Sequence, residues 1–304
     1  MKTFHHLIAA IDFTPSCVRA LREAARRASL DHAAITAVHV MDEFLVHELK
    51  NALSATESAV RAEWEAKLRK FVDNSGAGGA VIKTEVRVGH PYVELVEACH
   101  THGADLLVMG DKSPDTGQHH IGAIAAKCIR KAPVDVLIVR REVEPPFRRI
   151  VACVDFSENS AKAVQFAVHL ARQDGAVLDC VHVYQSALTM AMDYGGFVTP
   201  LPPVVTEEDA VKTWENELQR FLEPLLRNTE GINIRQKVIE QINIRDAIIE
   251  YVTAQKADLV VLGTRGKGAL RHMLIGTAAE KLVQRAPCSI LAVKPDDIVT
   301  APEA

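Results

Sequence analysis

No stretch of this 304-residue chain approaches the roughly 18 apolar residues of a membrane-spanning helix. The first apolar run, His5-His6-Leu7-Ile8-Ala9-Ala10-Ile11, is too short for a secretory leader. Six cysteines (Cys17, Cys99, Cys128, Cys153, Cys180 and Cys288) are scattered without a single C-x-x-C. They read as free buried thiols in a reducing compartment rather than a disulfide framework. An excess of one charge is also lacking. Thirty-five basic against 39 acidic residues leave a formal −4, which gives no footprint for nucleic acid or an anionic membrane. Neither G-x4-G-K-[ST] nor G-x-G-x-x-G occurs, so the Walker loop and the dinucleotide turn are excluded. What remains is the composition of an ordinary globular protein, 48% hydrophobic and 24% charged. The expectation is a cytoplasmic protein with no nucleic-acid or membrane partner.

What the chain does have is a repeat. Leu7-Ile8-Ala9-Ala10-Ile11-Asp12-Phe13-Thr14 returns 143 positions later as Ile150-Val151-Ala152-Cys153-Val154-Asp155-Phe156-Ser157. Val38-His39-Val40 returns at the same offset as Val181-His182-Val183. Ala104-Asp105-Leu106-Leu107-Val108-Met109-Gly110 returns as Ala257-Asp258-Leu259-Val260-Val261-Leu262-Gly263. The extra residues of the second copy fall in the Gly/Pro-rich stretch 195–203, which reads as loop. Within each copy, apolar runs alternate with helical periodicity: Val18, Leu21, Ala25 and Ala28 in one, Ala161, Val164, Val168 and Ala171 in the other. Strict alternation predicts an α/β fold of two tandem doubly wound, Rossmann-like domains. Each would be a five-stranded parallel sheet with helices on both faces and its ligand at the carboxyl ends of the strands. The predicted domains are 1–141 and 147–304, joined at Glu142-Val143-Glu144-Pro145-Pro146.

The second copy carries the chemistry. Its strand Leu259-Val260-Val261-Leu262 runs into Gly263, Gly266 and Gly268, and Gly276-Thr277 opens a helical pattern ending at Pro287. Glycines at Gly263 and Gly266 let a backbone approach a ligand, and a helix start offers free N–H groups and a positive dipole end to an anion. The plain alternative is that these glycines serve turns. The spacing G-x2-G-x9-G-T, with the residues around it, resembles the universal stress protein family, whose loop of this pattern holds the phosphates and ribose of ATP. The resemblance covers nearly the whole chain as two domains. It implies that Val154, Asp155 and Val183 line a nucleoside pocket. It also implies that Leu262, Gly263, Thr264, Arg265, Gly266, Gly276, Thr277 and Ala278 hold the phosphates, with Mg²⁺ near Thr277. Asp155 could instead cap the helix beginning near Ser157.

The first copy departs from that pattern. Ser113 replaces the second glycine, Pro114 stiffens the loop, Asp111 and Asp115 add negative charge, and Ala123 replaces the hydroxyl residue. No ATP is expected there. His119-His120 in that loop are read as solvated, since neighbouring loop histidines rarely reach one ion; no metal site is assigned. His39 and His182 read as packed core residues. The function expected is a stress-response or signalling protein that binds an adenine nucleotide in its second domain. No catalytic residue is assigned, His272 being the one titratable side chain in the loop that could serve as a base. A slow ATPase or nucleotidyl transferase, or a scaffold with a non-nucleotide ligand, are the alternatives. Pairing through the last strands, Val134–Val139 and Ser289–Val293, would give an intramolecular pseudo-dimer of domains or a homodimer.

Overall fold

The computed structural model describes residues 3–44, 46–48, 56–111, 121–140, 145–185, 207–266 and 282–296. The first repeat runs β1 (His6–Ala10), α1 (Pro15–Asp31), β2 (Ala34–Met41), α2 (Glu57–Asn74), β3 (Ile82–Val88), α3 (Pro91–His102), β4 (Leu106–Gly110), α4 (Ala123–Lys131) and β5 (Asp135–Val139). The second runs β6 (Arg149–Val154), α5 (Glu158–Asp174), β7 (Val177–Tyr184), α6 (Glu207–Leu222), β8 (Ile234–Glu240), α7 (Ile244–Ala254), β9 (Leu259–Gly263) and β10 (Ser289–Val293). The stretch 195–203 and the final loop with Gly276 and Thr277 lie outside the described residues.

Two compact units form. The N-terminal unit comprises Thr3–Pro145 together with the segment that begins at Ser289; the C-terminal unit runs from Pro146 to Cys288. In the N-terminal unit β1 pairs in parallel with β2 and β4, β2 with β3, and β4 with β5. In the C-terminal unit β6 pairs in parallel with β7 and β9, and β7 with β8. The first strand therefore lies mid-sheet in each unit, with the topological switch point between its carboxyl end and that of the fourth strand, β1 beside β4 and β6 beside β9. A ligand crevice opens at such a point. Helices α1 and α5 cover these strands with small apolar residues. Ala20, Leu21, Ala24 and Ala25 are fully buried, as are Ala163, Val164 and Ala167. Alanine keeps the helix axis close to the sheet while contributing full helix propensity.

The unit boundary does not follow the repeat boundary. β10, the last strand of the second repeat, pairs antiparallel with β5, Leu291 opposite Leu137 and Ile290 opposite Ile138. All residues of both strands are buried. The pair closes with matched hydrogen bonds at its two ends. Lys294 N–H donates to Asp135 Oδ1 (2.7 Å), and Arg140 N–H donates to Ser289 Oγ (3.1 Å). Asp135 and Ser289 occupy the same position of the two repeats, as do Arg140 and Lys294. The edge that β5 would otherwise expose is thus covered.

Candidate functional site

The site of the C-terminal unit begins where β6 ends. Val154 and Val183 are buried at 4% and 7% exposure. The β6–β7 ladder stops at the Val154–His182 pair, while β7 continues against β8 through Val183 and Tyr184. The end of β7 therefore overhangs the rim on which Asp155 sits. Phe156 follows in the left-handed region at φ 61°, an unfavourable place for an aromatic residue, costing roughly 1–2 kcal/mol. Ring packing holds it there. Its ring meets His182 at 4.3 Å, Trp214 at 6.0 Å and, edge-on, Phe221 at 5.5 Å. His182 Nδ1–H in turn donates to the Val154 carbonyl (2.8 Å), which ties β7 to the rim.

Asp155 Oδ1 accepts the Ser157 N–H (3.1 Å) and the Ser157 hydroxyl (2.6 Å). Ser157 itself caps α5, its side chain accepting from Ser160 N–H. Asp155 thus shapes the turn into the helix without being the cap. The other oxygen, Oδ2, lies under the glycine loop: a Cβ on Gly266 would stand 2.5 Å from it. Gly263 is glycine for a different reason. A Cβ there would meet Asn159 Nδ2 at 2.8 Å and the Asn159 backbone carbon at 3.2 Å. Asn159 Nδ2 also donates to the Arg265 carbonyl (3.4 Å), fastening the loop to the first turn of α5. Leu262 is 3% exposed, and Thr264 is fully buried with its hydroxyl lacking a hydrogen-bond partner among the described residues. The structure therefore brings Val154, Asp155, Val183, Leu262, Gly263, Thr264, Arg265 and Gly266 to one end of the sheet. Gly276, Thr277 and Ala278 lie outside the described residues.

The same corner of the N-terminal unit is built differently. Phe13 again has φ 61° and packs on His39, Trp64 and Phe71 at 4.6, 5.7 and 5.3 Å. His39 Nδ1–H donates to the Ile11 carbonyl, and burial lowers its pKa despite that bond. Gly110 matches Gly263 in role, since a Cβ there would meet the Ser16 backbone carbon at 2.8 Å. Asp12, however, is drawn into its own turn. One oxygen accepts from Thr14 N–H (3.0 Å), the Thr14 hydroxyl (2.5 Å) and the Cys17 thiol (2.7 Å). Burial, reinforced by the Asp12 charge, pushes the Cys17 thiol up to about 12. At the position of Thr264 stands Asp111, 1% exposed, which accepts from Arg140 Nη1 at 3.5 Å. A buried ion pair thus stands at the start of the altered loop, whose residues 112–120 are outside the described set and include His119 and His120. Among the described residues no group of His, Cys, Asp and Glu has metal-site geometry.

Several of these residues were not singled out by sequence reasoning. Asn159, Arg140 and the two aromatic clusters carry no motif. The faint signal was the recurrence of Trp-x-x-[Lys/Glu]-Leu-x-x-Phe at Trp64 and Trp214, alongside the repeated His39 and His182.

Two doubly wound units, each with an aspartate ending its first strand and a glycine ending its fourth, define a tandem α/β protein with one complete and one altered glycine loop. The Universal stress protein family profile matches residues 3–140 and again 146–294, and the chain belongs to that family. It is similar to a universal stress protein of Mycolicibacterium smegmatis, 24% identical over 303 residues, covering 96% of this chain and 98% of that one. It is also similar to a universal stress protein of Methanocaldococcus jannaschii, 30% identical over 51% of this chain and 86% of the other. In fold it resembles the crystal structure of a universal stress protein from Archaeoglobus fulgidus, with a TM-score of 0.65 at 16% identity over 95% of this chain and 98% of that one. No helix among the described residues is long and apolar enough to cross a membrane.

Proposed function

We propose that the C-terminal unit holds one adenine nucleotide, ATP with or without Mg²⁺, and that the protein acts as a stress-response or signalling binding protein. The observation that carries this reading is the meeting of Asp155 and Gly266, where the loop backbone crosses the carboxylate at a distance that only glycine permits. The residues present suit the ligand. Asp155 would accept from a sugar hydroxyl or the adenine amino group, and the overhanging backbone of Val183 would meet the base edge. The loop amides from Gly263 to Gly266 would face the phosphates, a concave set of N–H groups of the kind that receives anions. The Thr264 hydroxyl, buried with no partner among the described residues, is an available donor. Gly276, Thr277 and Ala278 would complete the cradle as a helix start. Asp111 and Arg140 set the first repeat apart, because a carboxylate at the loop's first position opposes a triphosphate.

Calorimetric titration of the full chain with Mg·ATP tests the reading. One ATP per chain is expected, weakened at least about tenfold by Asp155→Ala and unchanged by Asp12→Ala. Unchanged affinity in a folded Asp155→Ala protein, or a loss confined to Asp12→Ala, would overturn the assignment.

A further inference from the structure

The two aromatic clusters differ at two positions, and one of the differences is a charge. In the N-terminal unit Lys67 stands one turn after Trp64 on α2. Its ammonium lies 4.0 Å from the centroid of the Trp64 ring and 4.5 Å from that of Phe13. A cation over two aromatic faces is attracted by both ring quadrupoles, most strongly by tryptophan. In the second repeat Trp214 and Phe221 occupy the places of Trp64 and Phe71, but the lysine is replaced by Glu217. Trp214 is half-buried, and its ring neighbours are Phe156, His182 and Tyr184, at 6.0, 5.1 and 5.6 Å. The cluster is larger by Tyr184, whose place in the first repeat is Met41. Carboxylates flank it: Glu240 accepts from the Tyr184 hydroxyl (3.1 Å), and Glu217 meets Arg220 at 3.2 Å in a pair exposed on both sides. Such an exposed pair holds its members weakly, so Glu217 can turn to another cation.

We propose that the half-buried face of Trp214 binds a free alkylammonium ligand, in the place where the first repeat supplies its own ammonium from Lys67. The tryptophan face supplies the attraction, and Glu217 supplies the counter-charge where Lys67 would otherwise stand. The proposed ligand is distinct from the nucleotide, and its test involves none.

The full chain has two tryptophans, so Trp64→Phe leaves Trp214 as the sole reporter. Its fluorescence is titrated with choline and, in parallel, with 3,3-dimethylbutanol, the uncharged isostere. Choline is expected to give a saturable change, with the alcohol about tenfold weaker. Glu217→Lys, which rebuilds the arrangement of the first repeat, is expected to abolish the response while leaving circular dichroism unchanged. The converse pair uses Trp64 as sole reporter in Trp214→Phe: no response is expected until Lys67→Glu is added. Should Trp64→Phe fail to fold, broadening of the choline methyl resonance is compared between the unmutated protein and Glu217→Lys. Equal responses to choline and the alcohol, no response to choline, or a response that survives Glu217→Lys would overturn the proposal.

Discussion

At the scale of single residues, glycines that look alike in the sequence divide by what stands in front of them. Gly263 and Gly110 admit the first turn of the helix that follows the first strand of their unit, Asn159 in one unit and Ser16 in the other. Gly263→Ala and Gly110→Ala should each cost about 1–3 kcal/mol by overpacking, read as a lowered urea midpoint. Gly266→Ala meets the Asp155 carboxylate instead. It should weaken ATP at least about tenfold with a smaller loss of stability, measured by calorimetry beside the same urea titration. Lys294 offers a test in pH. It is 1% exposed, and burial pulls its pKa down to about 8 from 10.5 although Asp135 opposes the shift. Above pH 8 the folded lysine is neutral while the unfolded one still binds its proton, so its contribution to stability rises with pH, by up to about 1.4 kcal/mol per unit. From about pH 8 the thiols work against it. Cys17, Cys99, Cys128 and Cys180 are pushed up to about 12 by burial, and the unfolded chain loses those protons first. The lysine is therefore read as a difference: between pH 8 and 9 the stability of the unmutated protein relative to Lys294→Met should rise, followed by chemical unfolding of both at each pH.

At the scale of elements, β10 has the largest consequence. Ile290, Leu291 and Val293 are at most 1% exposed, and the strand covers the β5 edge. Each of these side chains contributes about 1.5–3 kcal/mol when fully buried. A chain ending at Cys288 should lose several kcal/mol and aggregate through the uncovered β5, since an apolar unpaired edge recruits another strand. Light scattering against the full-length protein checks this; a soluble, monomeric 1–288 chain would contradict it. For the same reason the repeat boundary is a poor place to divide the protein for binding studies, and the ATP titration is set on the intact chain.

At the scale of the whole molecule, the proposed reading is of ATP held rather than consumed. Hydrolysis needs an in-line water, a group to orient it and charge on the leaving phosphate. Asp155 is committed to Ser157 and to the crossing of Gly266, at the end of the site where the nucleoside is proposed to lie. Steady-state phosphate release at saturating Mg·ATP should stay far below the enzyme median of about 10 per second. Turnover near that figure, lost in His272→Ala, would replace the binding reading with an enzymatic one.

The repeat, the alternation of strand and helix and the aspartate and glycine ends of the strands were all legible in the sequence. Each rests on local periodicity or on a residue type with special backbone freedom, and both are written along the chain. The burial of His39 and His182 was legible too, because the same residue recurs within an apolar strand. Which glycine faces a carboxylate and which a helix was not, since that depends on atoms more than 90 positions away in sequence. Nor was the ion pair of Asp111 with Arg140, or the aromatic corner that fixes Phe13 and Phe156 at positive φ. The sequence by itself determined two copies of one fold and an altered first loop. The pairing of the two last strands was expected from the sequence as well; only the tertiary structure decided that it forms within one chain, antiparallel and with Leu291 opposite Leu137, because an apolar strand edge specifies that it be covered but not whether by the same chain or another, nor in which register.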